Sequence, residues 1–142
     1  MFEARLTQGR VFKQIIDAIK DLVQDTNIDI DQEEMSIQAM DSSHVSLVQV
    51  TLRSDGFDHY RCDKESKLGI STANMTKILK CAGNEDIITL KAEEEGDSLT
   101  LMFESPAQDR IADFGTYIKH SSFMINLTFK PTFLCRTQAY GN

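Results

Sequence analysis

From Val11 to Val23 the apolar residues recur with the period of a helix, and this stretch limits the possible folds more than any other. Val11, Phe12, Ile15, Ile16, Ala18, Ile19, Leu22 and Val23 fall on one side, while Arg10, Lys13, Gln14, Asp17, Lys20, Asp21 and Gln24 fall on the other. A helix with one apolar stripe must cover it with another element. Just upstream, Phe2, Ala4 and Leu6 alternate with Glu3 and Arg5, which predicts a half-buried strand ending at Gly9.

Three further strands are expected downstream. Ile28 and Ile30 mark the first, Met35, Ile37 and Ala39 the second, and Val48, Val50 and Leu52 the third, which starts near Ser46. Short turns join them, so their sheet should be antiparallel. The loop at Ser54, Asp55 and Gly56 leads to Phe57 and Tyr60, read as a kinked continuation of the third strand.

The same order then recurs. Leu68 and Ile70 form a short strand, and a helix starts near Thr72, where Ser71 or Thr72 can cap the free amides. Gly83 is expected to stop it. Met75, Ile78 and Leu79 form its buried side, with Lys77 and Lys80 on an exposed one. Strands follow at 87–90, at Leu99, Leu101 and Phe103, and from about Arg110 to Phe114, with the acidic turn EEEGD between the first two. The chain is thus read as α+β, with two strand-helix-strand-strand-strand units whose helices pair on one face and whose antiparallel sheets form the other.

Pairing the helices also collects charge. The formal net charge is -7, which by itself argues against phosphate binding. From Arg61 to Lys80, however, Arg61, Lys64, Lys67, Lys77 and Lys80 outnumber Asp63 and Glu65. The outer faces of the two helices add Arg10, Lys13 and Lys20 beside Lys77 and Lys80, diluted by Asp17 and Asp21. Such a face predicts weak, salt-screened, sequence-independent contact with phosphates, suited to sliding.

The three cysteines, Cys62, Cys81 and Cys135, are far apart and form no CxxC pair, so they are read as free thiols in a reducing compartment. Glu3, Arg5 and Arg10 interrupt the N-terminal region, so no secretory segment is expected there. No apolar run approaches the roughly 20 residues of a membrane span. Enzymatic readings are poor. Asp41, Ser42, Ser43 and His44 include triad residue types but read as a polar turn, and His59 with Cys62 is too few for a metal site. No cofactor is expected.

Three long stretches carry a family resemblance: MFEARL with Gly9, the segment from Met40 to Asp63, and the segment from Met75 to Glu93. They resemble the proliferating cell nuclear antigen (PCNA) family of eukaryotic DNA sliding clamps, over the N-terminal domain. The resemblance implies the DNA clamp fold, with helices lining a central hole. It also implies a nuclear homotrimer that encircles double-stranded DNA and serves as processivity factor for a replicative polymerase of the delta type. A clamp loader and other proteins with a clamp-binding motif are the implied partners, with roles in replication, repair, translesion synthesis and mismatch repair.

Carried over by position, DNA-facing roles fall on Lys13, Lys20, Arg61, Lys64, Lys67, Lys77, Lys80 and Arg110. Met40, His44, Val45 and Leu47 correspond to the first-domain part of the partner-peptide groove. Ile78, Cys81, Arg110 and Phe114 correspond to the subunit edge. Gln14 stands where a basic residue is frequent, and Thr72 where Leu or Phe is usual, which predicts a small change in the core.

After Asp113 the resemblance stops, and the tail that follows holds Phe114, Phe123, Phe129 and Phe133 and the charges Lys119, Lys130 and Arg136. The expected division is a PCNA-type domain over 1–117 and a divergent, poorly ordered tail over 118–142. The alternative function is a shortened isoform or fragment that folds without closing a ring and acts as a binding module on full-length clamps.

Overall fold

A computed structural model describes residues 1–108, 110–120 and 135–138. It contains two helices and two sheets. The first unit comprises β1 (Phe2–Leu6), α1 (Gly9–Ile19), β2 (Asp25–Ile30), β3 (Glu34–Met40) and β4 (Leu47–Arg53). A short strand β5 (His59–Cys62) follows. The second unit comprises β6 (Ser66–Ser71), α2 (Thr72–Leu79), β7 (Ile87–Ala92), β8 (Ser98–Ser105) and β9 (Arg110–Tyr117). β10 (Lys119–His120) and β11 (Cys135–Gln138) complete the described strands.

The units exchange their first strands. One sheet has the order β5-β1-β7-β8-β9, and the other β10-β6-β2-β3-β4-β11. β1 therefore joins the second unit's meander, with Phe2 opposite Ala92 and Ala4 opposite Leu90. β6 joins the first unit's meander, with Ile28 opposite Leu68 and Thr26 opposite Ile70. All these pairings are antiparallel; among the described strands β11 alone runs parallel to its partner, β4.

Both helices pack against one core. Phe12, Ile16 and Ile19 of α1 and Met75 and Leu79 of α2 are almost wholly buried, together with Ile28, Ile30, Ile37, Leu90, Leu101 and Phe103 from the two sheets. The stripe expected on α1 is narrower than its apolar residues suggest. Ala18 is exposed, and Val11 and Ile15 are half-buried, because the helix touches its neighbours along Phe12, Ile16 and Ile19. Ile78, expected to be buried with Met75 and Leu79, is half-buried and packs on the margin of the core.

Close contacts fix where the helices begin. A Cβ on Gly9 would lie 2.5 Å from the Asp86 carbonyl oxygen and 2.6 Å from Ile88 Cγ1. The start of α1 is thus pressed against β7, where only glycine fits. At the start of α2, Ser71 Oγ accepts the Asn74 amide, as a capping serine should. Thr72 is buried, and its hydroxyl lies 2.6 Å from the Val23 carbonyl oxygen and 2.9 Å from that of Gln24. The change expected where Leu or Phe is usual is therefore a polar bolt between the start of α2 and the link that joins α1 to β2.

Two expectations need correction. The segment after Gly56 does not continue the third strand. A 3-10 turn at Ser54–Gly56 redirects the chain, and β5 pairs with β1 in the opposite sheet. The Tyr60 hydroxyl then bridges the sheets, donating toward the carbonyl oxygens of Asp31 at 2.6 Å and Glu34 at 2.8 Å. Its ring stacks near Phe2 and Phe57, and burial pushes its pKa well above the usual phenol range. Nor does Gly83 stop α2 through a left-handed cap, since no described glycine has positive φ. The helix unwinds through tighter bonds from Cys81 N to Ile78 O and from Ala82 N to Leu79 O, and the Gly83 amide donates to Asp86 Oδ2.

The expected boundary at Tyr117 and the poor order of the following tail fall largely outside the described residues. Within that segment β10 pairs with β6, and β11 with β4.

Replacing Thr72 with valine preserves shape but removes the donor facing two carbonyls. Thr72→Val should cost about 1–3 kcal/mol, read as a lower denaturation midpoint at unchanged m-value in urea.

Candidate functional site

The two helices lie side by side, and their outward sides enclose a groove of about 470 Å³. Arg10, Lys13, Gln14 and Asp17 line it from α1, and Thr76, Lys80 and Asn84 from α2 and the turn beyond, over a floor that includes Ile16 and Leu79. The sequence repeat thus brings residues about seventy positions apart onto one basic surface.

Its charges are not equally free. Lys13 Nζ donates to the Ala82 carbonyl oxygen at 3.0 Å, placing a cation near the C-terminal end of α2, where it complements the helix dipole. Lys20 Nζ donates to Asp17 Oδ1 at 2.5 Å. That hydrogen bond lowers the Asp17 pKa and raises that of Lys20. Among the described residues, Arg10, Lys77 and Lys80 have no ion-pair partner and are exposed. They are the groups most available to an incoming anion.

The other cations of the basic stretch lie elsewhere. Arg61 on β5 pairs with Asp63, Lys64 pairs with Glu94 at 3.5 Å, and Lys67 on β6 pairs with Asp29 at 3.1 Å. Lys64 and Lys67 border a second cavity of about 580 Å³, between the sheets, whose lining also includes Phe2, Ile30 and Leu68. The structure therefore divides the sequence-predicted basic set. Lys13 and Lys80 line the groove between the helices, Lys20 pairs with Asp17 of its wall and Lys77 is exposed on α2, whereas Arg61, Lys64 and Lys67 are paired with carboxylates away from it.

A different surface forms where β3 turns into β4. Met40 and Leu47 face each other as the last pair of that ladder, both half-buried, and His44 and Val45 stand exposed in the connecting loop. This is the polar turn expected from Asp41 to His44, with an apolar base beneath it.

The third surface is the outer edge of β9. Phe114 packs on Phe103 with ring centroids 5.4 Å apart, and α2 lies against the strand; Ile78 of that helix is half-buried at the margin of the core, and Cys81 is exposed just beyond it. At the start of the strand Arg110 Nη2 lies 3.6 Å from Asp86 Oδ2. Asp86 is almost wholly buried and also accepts the Gly83 amide, so one carboxylate ties the loop after α2 to the edge strand. Ile111, 67% exposed, was missed in the sequence. The available signal was its phase: Ala112, Phe114 and Thr116 point inward, so an apolar residue at 111 is on the solvent side.

Among the described residues there is no group of three or more His, Cys, Asp and Glu side chains placed to hold a metal ion. Cys62 and Cys81 are free thiols, and burial raises the pKa of Cys62, which makes it a poor nucleophile. No helix of the described residues is long and apolar enough to cross a membrane.

In a comparison with protein-family models, residues 1–124 match that of the proliferating cell nuclear antigen N-terminal domain. The match runs past Asp113, where the resemblance read from the sequence stops.

The surface carboxylates give a pH test. Asp58 accepts the Thr7 hydroxyl and, at 2.7 Å, the Thr7 amide, and these bonds hold its pKa below the ordinary 3.8. A lowered carboxylate pKa contributes stability above the unfolded-state value, and that contribution is lost as pH falls through the folded-state value. Asp58→Asn should therefore melt earlier than the parent at pH 7, and the difference should shrink below about pH 4. Thermal melts across that range read both limbs.

Proposed function

Because the chain belongs to the proliferating cell nuclear antigen family of DNA sliding clamps, a family of non-enzymatic scaffolds, we propose that this domain contributes one share of a clamp ring. In this reading the ring encircles duplex DNA in the nucleus and raises the processivity of a replicative polymerase of the delta type. A clamp loader opens it, and proteins of repair, translesion synthesis and mismatch repair dock on it. The chain itself has no catalytic role.

One observation carries the reading: in a protein of net charge -7, α1 and α2 bring Arg10, Lys13 and Lys80 to one groove, with Lys20 held by Asp17 of its wall and Lys77 exposed on α2. Among the described residues two helices form this face, with Lys20 paired to a carboxylate and Lys13 bonded to a backbone carbonyl. Contacts of this kind track phosphates without fixing register, so retention must come from topology. Arg10, Lys77 and Lys80 are the chief phosphate contacts, while Lys20 shares its charge with Asp17 and Lys13 lies closer to the helix junction. Arg61, Lys64, Lys67 and Arg110 contribute at most to the longer-range field.

The β9 edge supplies the ring contact. Among the described residues its outer side has no strand partner, so its backbone donors and acceptors are open to a neighbouring subunit. Ile78, Cys81, Arg110 and Phe114 flank that edge, and Ile111 adds an apolar contact. Met40, His44, Val45 and Leu47 form the first-domain wall of the groove for partner peptides, where a half-buried apolar base receives aliphatic and aromatic anchors.

Lys77→Glu combined with Lys80→Glu should weaken DNA association of a ring carrying this domain and lower its log-log salt slope by roughly 1.8, about 0.9 for each lost phosphate contact. An unchanged slope would place both lysines away from DNA. For the edge, Ile111→Lys should shift the sedimentation profile toward smaller species, and an unaltered distribution would remove Ile111 from the contact.

A further inference from the structure

The loop joining β3 to β4 holds a histidine in a conformation that side chains with a Cβ avoid. His44 has φ 59°, and among the described residues it is the one non-glycine with positive φ. An unfavourable backbone persists only where its surroundings over-determine it. Here they do so through a single carboxylate.

Asp41 Oδ1 accepts the amides of Val45 at 2.9 Å and Ser46 at 3.0 Å, while Oδ2 accepts the Ser43 hydroxyl. The Asp41 backbone adds two bonds, its amide donating to the Ser46 carbonyl at 3.0 Å and its carbonyl accepting the His44 amide at 3.1 Å. One residue therefore grips the chain on both sides of His44. The Ser43 hydroxyl, followed by the Ser46 and Val45 amides, holds the carboxyl below its usual pKa, so it is charged at neutral pH. What this network holds is an apolar tip: Val45 is 72% exposed, in the loop that closes on the half-buried pair Met40 and Leu47.

We propose that Asp41 is the positioning residue of the peptide-docking surface, fixing His44 and Val45 in the arrangement that receives an extended peptide with aliphatic and aromatic anchors. The inference rests on the docking reading given above for Met40, His44, Val45 and Leu47. Its physical content is a population effect. Without the carboxylate, His44 relaxes toward negative φ, the docking arrangement becomes one of several, and apparent affinity falls in proportion to its share.

The test measures binding of a fluorescein-labelled synthetic peptide, bearing one aliphatic and two aromatic anchors, by anisotropy. Asp41→Ala should weaken binding by about 10-fold. Asp41→Asn, whose Oδ1 can keep both amide bonds, should lose no more than about 3-fold. In a His44→Gly background the Asp41→Ala step should cost less than about 3-fold, because glycine takes positive φ without penalty. Slow amide exchange at Ile37 and Val50 in each variant verifies that the β3–β4 ladder is intact.

Equal losses in the two backgrounds would reduce Asp41 to a general structural role and overturn the inference, as would an Asp41→Ala variant that binds like the parent. If the unmodified chain bound no such peptide, the docking reading would fail and take this inference with it. Binding by the unmodified chain that is insensitive to Asp41→Ala sinks the inference alone.

Discussion

The placement of β1 between β5 and β7 is the constraint on which both faces of the domain depend. Because β1 runs directly into α1, putting that strand in the second unit's sheet brings α1 beside α2. The reciprocal placement of β6 anchors α2 over the first unit. Neither unit can cover its own helix with its own three-stranded meander alone, so the two are interlocked and share a core. Gly9 shows how tightly this is drawn, since a single added carbon would strike the Asp86 carbonyl.

Polar groups set the fine alignment within that frame. Thr72 joins the link between α1 and β2 to the start of α2, Lys13 joins α1 to the turn after α2, and Tyr60 joins the two sheets at their margin. Each spans two elements and leaves few buried donors unpaired. Asp86 works similarly at the opposite edge, where its carboxylate holds the loop after α2 and meets Arg110 at the start of β9. The basic face and the open edge therefore meet at the same turn, where Ala82 accepts Lys13 and Asp86 meets Arg110.

Much of this was legible in the sequence. The stripe of α1, the alternation of β3, β4 and β8, the Ser71 cap and the twofold order of elements all follow from period and chemistry. Periodicity does not name partners, however. Nothing in the spacing of Phe2, Ala4 and Leu6 says that their neighbours are Ala92, Leu90 and Ile88, and the departure of β5 from β4 was missed for the same reason. The sites were legible by residue type and less so by state. Counting cations found Lys13 and Lys20 but not the Ala82 carbonyl and Asp17 carboxylate that occupy them, while Asp41 was read as turn material because its hydrogen bonds exist only after the loop closes.

Strand exchange also has a consequence in time. Phe2 pairs with Ala92, so β1 leaves the ribosome about 90 residues before its partner does, an interval on the order of ten seconds at 5–20 residues per second. Throughout that interval the first unit can form its own meander of β2, β3 and β4 but not its final core, since both the sheet that receives β1 and the helix that packs beside α1 are still unmade. Phe12, Ile16 and Ile19 have nothing complete to pack on. The nascent chain thus exposes its most hydrophobic helix early and covers it late, and its demand on chaperones is written into the order in which the strands are synthesised.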